Sequence, residues 1–101
     1  MWKKVCSLDE LREGEPLGVE IDAKRIGLFL VNGQCHAIGD ICPHEYALLS
    51  DGYQEQGVVE CPLHQARFEI ATGKCLGLPA ERDVPVFEVS VEGGDVLVKF
   101  G

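Results

Sequence analysis

Four side chains in two short stretches could hold metal: Cys42 and His44 in Cys42-Pro43-His44, and Cys61 and His64 in Cys61-Pro62-Leu63-His64. Each stretch offers one soft thiolate and one imidazole, and 16 residues (45–60) lie between them. Two such pairs converging from separate loops form a metal-site pattern. The spacing C-x-H, x16, C-x-x-H differs from that of zinc fingers, which pair cysteines on one side and histidines on the other. A zinc site built from the same four ligands nonetheless stays open on residue types alone. Chance placement is a poor account, because four ligand types fall at four fitting offsets in a chain with only 3 histidines.

The pattern resembles the Rieske [2Fe–2S] motif, in which histidine replaces cysteine on one of the two irons. The resemblance implies that Cys42 and Cys61 hold one iron while His44 and His64 hold the other. It extends to Phe68, Thr72-Gly73 and Leu78-Pro79-Ala80, which sit where small Rieske-type ferredoxins carry similar residues. In that family the proline-containing segment covers the cluster. Two positions depart from the family habit, Gln65 and Tyr46, where glycine is frequent. Respiratory Rieske proteins carry an extra cysteine in each ligand loop and a hydroxyl donor near the cluster. Here His44-Glu45-Tyr46-Ala47 and His64-Gln65-Ala66-Arg67 contain neither cysteine nor serine. The resemblance therefore implies a midpoint near the low end of the roughly −150 to +300 mV Rieske range.

The ligand chemistry is consistent with that implication. Exchanging two thiolates for neutral imidazoles removes negative charge beside the iron that accepts the electron, which raises the potential above that of all-cysteine ferredoxins. Each loop supplies both ligand types, so metal insertion and folding of residues 40–80 should be coupled. Cys42 and Cys61 both precede proline, which biases them toward extended backbone and pre-sets the loops. The unligated imidazole N–H groups imply a potential that falls at alkaline pH.

The elements that must position these ligands read as strands. Trp2 to Cys6 suits a first strand, and Ser7-Leu8-Asp9-Glu10 fits a capping box opening a short helical turn. Leu17 to Ile21 and Ile26 to Val31 form a hairpin around Asp22-Ala23-Lys24-Arg25. Asn32-Gly33 is a strong two-residue turn signal leading into Gln34 to Ile38. The strands to this point are expected to form one antiparallel meander. Ser50-Asp51-Gly52 and Glu55-Gln56-Gly57 bound an irregular stretch, Val58-Val59-Glu60 feeds the second ligand loop, and Arg67 to Ile70 is a further strand. Thr72-Gly73-Lys74 makes a turn, and Leu78-Pro79-Ala80 with Pro85 an extended connection. Val86 to Val91 and Val96 to Phe100 close the chain as a hairpin across Gly93-Gly94-Asp95. The two ligand loops echo each other as Cys-Pro-His-x-x-Ala and Cys-Pro-x-His-x-Ala. The expected fold class is all-β: a Rieske-like antiparallel β-sandwich base (about 1–39 and 81–101) with a small cluster-binding subdomain inserted (about 40–80), in one domain of 101 residues.

Charge and composition narrow the partners. Seventeen acidic against 9 basic residues give a net charge of −8. Nucleic acid, which demands clustered Lys and Arg, is excluded, whereas steered encounters with basic protein surfaces are favoured. Five cysteines preclude a complete internal disulfide framework. The N-terminus lacks an apolar signal region and no stretch is long enough to span a membrane. A cytoplasmic, unprocessed protein is expected.

The remaining chemistry-bearing residues have simpler readings. His36 reads as a partly exposed strand residue, and Cys6, Cys35 and Cys75 as small hydrophobes, Cys75 passing nearest the insert. Trp2 reads as an anchor of the first strand. Asp9-Glu10, Glu13-Glu15 and Glu81-Asp83 read as solvated surface.

By resemblance, the chain is expected to be an electron-carrier ferredoxin with one [2Fe–2S] cluster and no catalytic residues of its own. It would pass electrons from a flavin-dependent NAD(P)H reductase to a terminal Rieske-type ring-hydroxylating oxygenase in aromatic hydrocarbon catabolism. Docking is expected over His44 and His64, with Tyr46, Gln65 and Pro79 on the contact rim, in a monomer. Two competing readings are a Rieske-like small subunit of an assimilatory nitrite reductase and a non-redox zinc module.

Overall fold

A type I′ hairpin turn needs two successive residues with positive φ, and the chain provides them at Asn32-Gly33 (51° and 81°) and Asp22-Ala23 (51° and 67°). These turns join β2 (Leu17–Ile21), β3 (Lys24–Val31) and β4 (Gln34–Gly39) into a meander. The computed structural model describes residues 1–43, 46–63, 65–77 and 82–100. Among these the ordered elements are strands and two single 3₁₀ turns, Leu8–Glu10 and Leu49–Asp51. The all-β expectation holds, and every strand ladder is antiparallel.

Three sheets make up the fold. β1 (Trp2–Ser7) pairs with β10 (Asp95–Lys99), which pairs with β9 (Val89–Glu92). The second sheet runs β2-β3-β4-β8, with β8 being Val86–Phe87, and the third runs β5 (Tyr53–Glu55), β6 (Val58–Glu60) and β7 (Arg67–Glu69).

Three expectations need correction. β1 lies outside the meander and pairs with β10. The stretch expected to be one strand over 86–91 divides at Glu88, β8 joining β4 and β9 joining β10, so the chain turns a corner between two sheets. Tyr53–Glu55, expected to be irregular, is β5, closed onto β6 by a two-residue turn at Gln56-Gly57. Its local sequence has a single strong strand former, and the pairing is set by β6.

β3 explains how the sheets hold together. Side chains alternate across a strand, and here both faces are covered. Ile26 and Leu28 enter a core with Cys6, Leu11, Ala37, Val96, Val98 and Phe100. Phe29 enters the other core, with Ile38, Cys42, Ala47, Leu49, Val59, Cys61, Ala66, Phe68, Ile70 and Val84, and Val31 packs against it. A strand buried on both sides reads as a continuous apolar run, as in Ile26-Gly27-Leu28-Phe29-Leu30-Val31. β3 and β4 thus separate a base core from the core beneath the ligand loops.

Acidic residues expected to be plain surface carry local structure. The Ser7 N–H donates to Glu10 Oε2 at 2.7 Å, one half of the expected capping box. Glu13 accepts from the N–H groups of Asn32 (3.1 Å) and Gly33 (2.8 Å), holding the β3–β4 turn.

Candidate metal centre

Both cysteine loops close in the same way. The Cys42 N–H donates to the Ala47 carbonyl at 2.9 Å, and the Cys61 N–H donates to the Ala66 carbonyl at 2.7 Å. Each bond spans five positions, which is the echo visible in the sequence. Below the first loop, Ile41 bridges Leu48 and the Leu49 N–H donates to the Asp40 carbonyl at 2.7 Å. Below the second, Glu60 pairs with Arg67 in the β6–β7 ladder. Cys42 and Cys61 are 2% and 1% exposed and belong to the same apolar core.

The loops also present side chains outward. Tyr46 is 77% exposed and Leu63 42%. Gln65, also exposed, has φ of 61°. That left-handed backbone explains why glycine is frequent at this position in the resembled family. His44, Glu45, His64 and Leu78 to Glu81 lie outside the described residues, so the expected imidazole ligands and the Pro79 rim position do too.

A third segment flanks the loops. The Leu76 N–H donates to the Arg67 carbonyl at 2.8 Å and the Glu69 N–H to the Lys74 carbonyl at 2.9 Å, laying Lys74 to Leu76 along β7. Cys75 packs against the core that holds Cys42 and Cys61, as its expected proximity to the insert required. The connection beyond it is clasped at its base: Asp83 Oδ1 accepts the Cys75 N–H at 2.8 Å, and the Val84 N–H donates to the Gly73 carbonyl at 2.9 Å. Asp83 therefore has a local structural task beyond solvation.

A buried carboxylate, missed at the sequence level, sits at the neck of the first loop. Asp40 is 0% exposed. Its Oδ1 accepts the Ser50 N–H and its Oδ2 the Ser50 Oγ–H, both at 2.7 Å, and Arg25 Nη2 lies 3.6 Å from Oδ2. Burial raises the Asp40 pKa, while the two Ser50 bonds and Arg25 pull it down. No local sequence signal marks it, because the space that admits it opens only when Gly18 pairs with Gly27 across β2–β3.

The remaining candidates lie elsewhere. His36 sits in β4 opposite Phe29 and is half-buried, as expected of a structural residue. Cys6 is buried in the base core and Cys35 packs against it. Burial, with Cys35 nearby, pushes the Cys6 thiol up to about 11, and burial pushes Cys35 up to about 11. Trp2 is 46% exposed on β1.

The donor set suits a metal cluster. Two sulfurs are buried at matched loop positions within one apolar core; as metal ligands they would be thiolates, whose burial a bound cation would offset. Comparison with known proteins decides which cluster. Residues 1–88 match the Rieske [2Fe-2S] domain. The chain belongs to the Rieske [2Fe–2S] family. This Rieske chain is 39% identical to the ferredoxin component of the naphthalene 1,2-dioxygenase/salicylate 5-hydroxylase systems of Ralstonia sp., over 97% of its own length and 94% of the relative's. The Sphingomonas yanoikuyae B1 ferredoxin superposes with a TM-score of 0.95 at 28% identity, covering 100% of both chains. A chain from the complex of reduced oxygenase and oxidized ferredoxin in carbazole 1,9a-dioxygenase superposes at 0.89 with 35% identity, covering 96% of this chain and 91% of that one.

The Rieske domain implies a [2Fe–2S] cluster, and its ferredoxin relatives are electron-transfer components, not catalytic subunits. No described helix is long and apolar enough to cross a membrane.

Proposed function

We propose that this Rieske chain is a one-electron carrier that takes electrons from a flavin-dependent NAD(P)H reductase and delivers them to a terminal Rieske-type ring-hydroxylating oxygenase. The observation that carries this reading is the matched burial of Cys42 and Cys61 at two equivalent loops, in a chain whose relatives are dioxygenase ferredoxin components. Cys42 and Cys61 would ligate one iron, and His44 and His64 the other. The cluster would supply one-electron chemistry at low potential. The chain's own contribution is to fix the sulfurs, exclude water from them and present the loop rim.

In this reading residues 40–80 form the cluster-binding subdomain and residues 1–39 with 81–101 the base. Tyr46, Gln65 and Pro79 form the rim over which partners dock. Association is transient and the chain works as a monomer in the cytoplasm, where reducing conditions keep thiolate ligands available. The net charge of −8 steers it toward basic partner surfaces.

Reconstitution tests the reading. Anaerobically purified protein should contain iron and acid-labile sulfide, absorb visible light, bleach on reduction, and support NADH-dependent turnover of a ring-hydroxylating oxygenase with its reductase. Raising salt to about 0.5 M should slow the transfer, because screening shortens the reach of the acidic field. Zinc in place of iron and sulfide, or turnover indifferent to the added chain, would refute the assignment.

A further inference from the structure

The two ligand loops close alike but are anchored differently. The second loop caps the regular β6–β7 ladder. Among the described residues the first has an isolated bridge and a few backbone bonds beneath it, and its neck carries the buried Asp40 side chain. Asp40 and Ser50 stand on opposite arms of that neck, and both carboxylate oxygens are bonded to Ser50 at 2.7 Å. The carboxylate is itself seated on the base sheet. A Cβ at Gly27 would lie 2.8 Å from Asp40 Oδ1. A Cβ at Gly18 would lie 2.4 Å from Ser50 Oγ, 2.8 Å from Asp40 Oδ2 and 3.1 Å from Arg25 Nη2. Gly18 and Gly27 are directly paired across β2 and β3, so two opposed glycines form a recess with Arg25 at its rim. Arg25 also receives the loop through its backbone, its carbonyl accepting the Asp40 N–H at 3.1 Å.

We propose that Asp40, seated in the Gly18–Gly27 recess and bonded to Ser50, is the positioning residue that holds the first ligand loop, and with it Cys42, at a fixed place against the β2–β3 sheet. The consequence reaches Gly18. This residue lies on a strand that contributes no proposed ligand, yet the three atoms nearest its missing Cβ belong to Ser50, Asp40 and Arg25. Asp40 touches no metal in this scheme and acts through the loop.

The proposal rests on Cys42 being a cluster ligand only for its effect on iron, so the test has two readouts. In the purified holoprotein, hydrogen exchange followed by mass spectrometry would compare segment 41–50 with segment 58–67 in Asp40→Ala, Ser50→Ala and Gly18→Ala. Each variant should speed exchange in 41–50 by roughly tenfold or more, because removing or displacing one partner leaves the other's buried polar group unmatched. Segment 58–67 should keep its rate. Asp40→Asn still accepts the Ser50 N–H and donates to Ser50 Oγ, so it should restore much of the protection. Val96→Ala in the base core supplies the control for general destabilisation.

Iron release to a chelator should follow the same order, fastest in Asp40→Ala and Gly18→Ala. Equal acceleration of both segments, no acceleration in either, or Asp40→Asn behaving like Asp40→Ala would overturn the latch. Should the unaltered protein hold no iron or sulfide, the carrier assignment fails while the exchange pattern still decides the latch.

Discussion

Gly73 and Val84 are in contact at the base of the connection that follows the second ligand loop. The Gly73 carbonyl accepts the Val84 N–H at 2.9 Å, and a Cβ on Gly73 would lie 2.2 Å from the Val84 carbonyl oxygen. Gly73 also has φ of 74°. Gly73→Ala combines left-handed strain with a backbone collision, so it should cost roughly 2–4 kcal/mol. Urea unfolding measures the loss. A change below about 0.5 kcal/mol, the usual range for an unremarkable surface site, would show that the clasp yields freely.

Substituting either of the two cysteines proposed as ligands should abolish the cluster. Cys42→Ala and Cys61→Ala are each expected to purify without iron, sulfide or visible colour, because each removes the only sulfur its loop contributes. Cys75→Ala leaves both loops intact and should retain full iron content. Colourless Cys75→Ala protein, or a coloured Cys61→Ala, would reassign the ligands.

Gln65 occupies left-handed backbone at φ 61°. Replacing it with glycine relieves a strain of about 1–2 kcal/mol but loosens the unfolded chain, which returns about half of that. Gln65→Gly should therefore raise the urea midpoint modestly, by about 0.5–1 kcal/mol of stability. Destabilisation instead would mean that the Gln65 side chain makes contacts worth more than the strain.

Alkaline stability should reflect the base-core thiols. Cys6 and Cys35 are each pushed up to about 11 from an ordinary value of 9.0. Between those values the unfolded chain releases protons that the folded chain keeps, so rising pH favours unfolding. For the buried Cys6 the slope approaches about 1.4 kcal/mol per pH unit. Unfolding free energies measured from pH 8.5 to 11 should fall more steeply in the native sequence than in Cys6→Val/Cys35→Val. Parallel curves would show that these thiols do not govern the decline.

Legibility in the sequence followed the range of the interaction. Leu17–Ile21 and Val58–Glu60 were readable to the residue because β-formers and turn signals are local. The turn at Asn32-Gly33 was equally plain, whereas that at Asp22-Ala23 was drawn too long, alanine giving no hint of a φ of 67°. The pairing of β1 with β10 and the division of 86–91 between two sheets depend on contacts distant in the chain, which no window of residues encodes. At the site, the echo between the two cysteine loops could be read from spacing, and the matching hydrogen bonds that close them follow it. Asp40 could not, since a carboxylate between Gly39 and Ile41 looks like an ordinary strand end. Its burial requires the recess opened by two glycines on other strands.

Because Leu28 and Phe29 are neighbours on β3 yet lean into opposite cores, neither half of the molecule can be rearranged in isolation. A partition with load on both sides couples what it divides: stripping out the metal should be felt in the amides of β10, and a repacked base should alter how readily the metal is lost. Melting in one step instead of two is the behaviour such a partition imposes. Attempts to graft the cysteine loops onto another scaffold would have to carry β3 and β4 along with them.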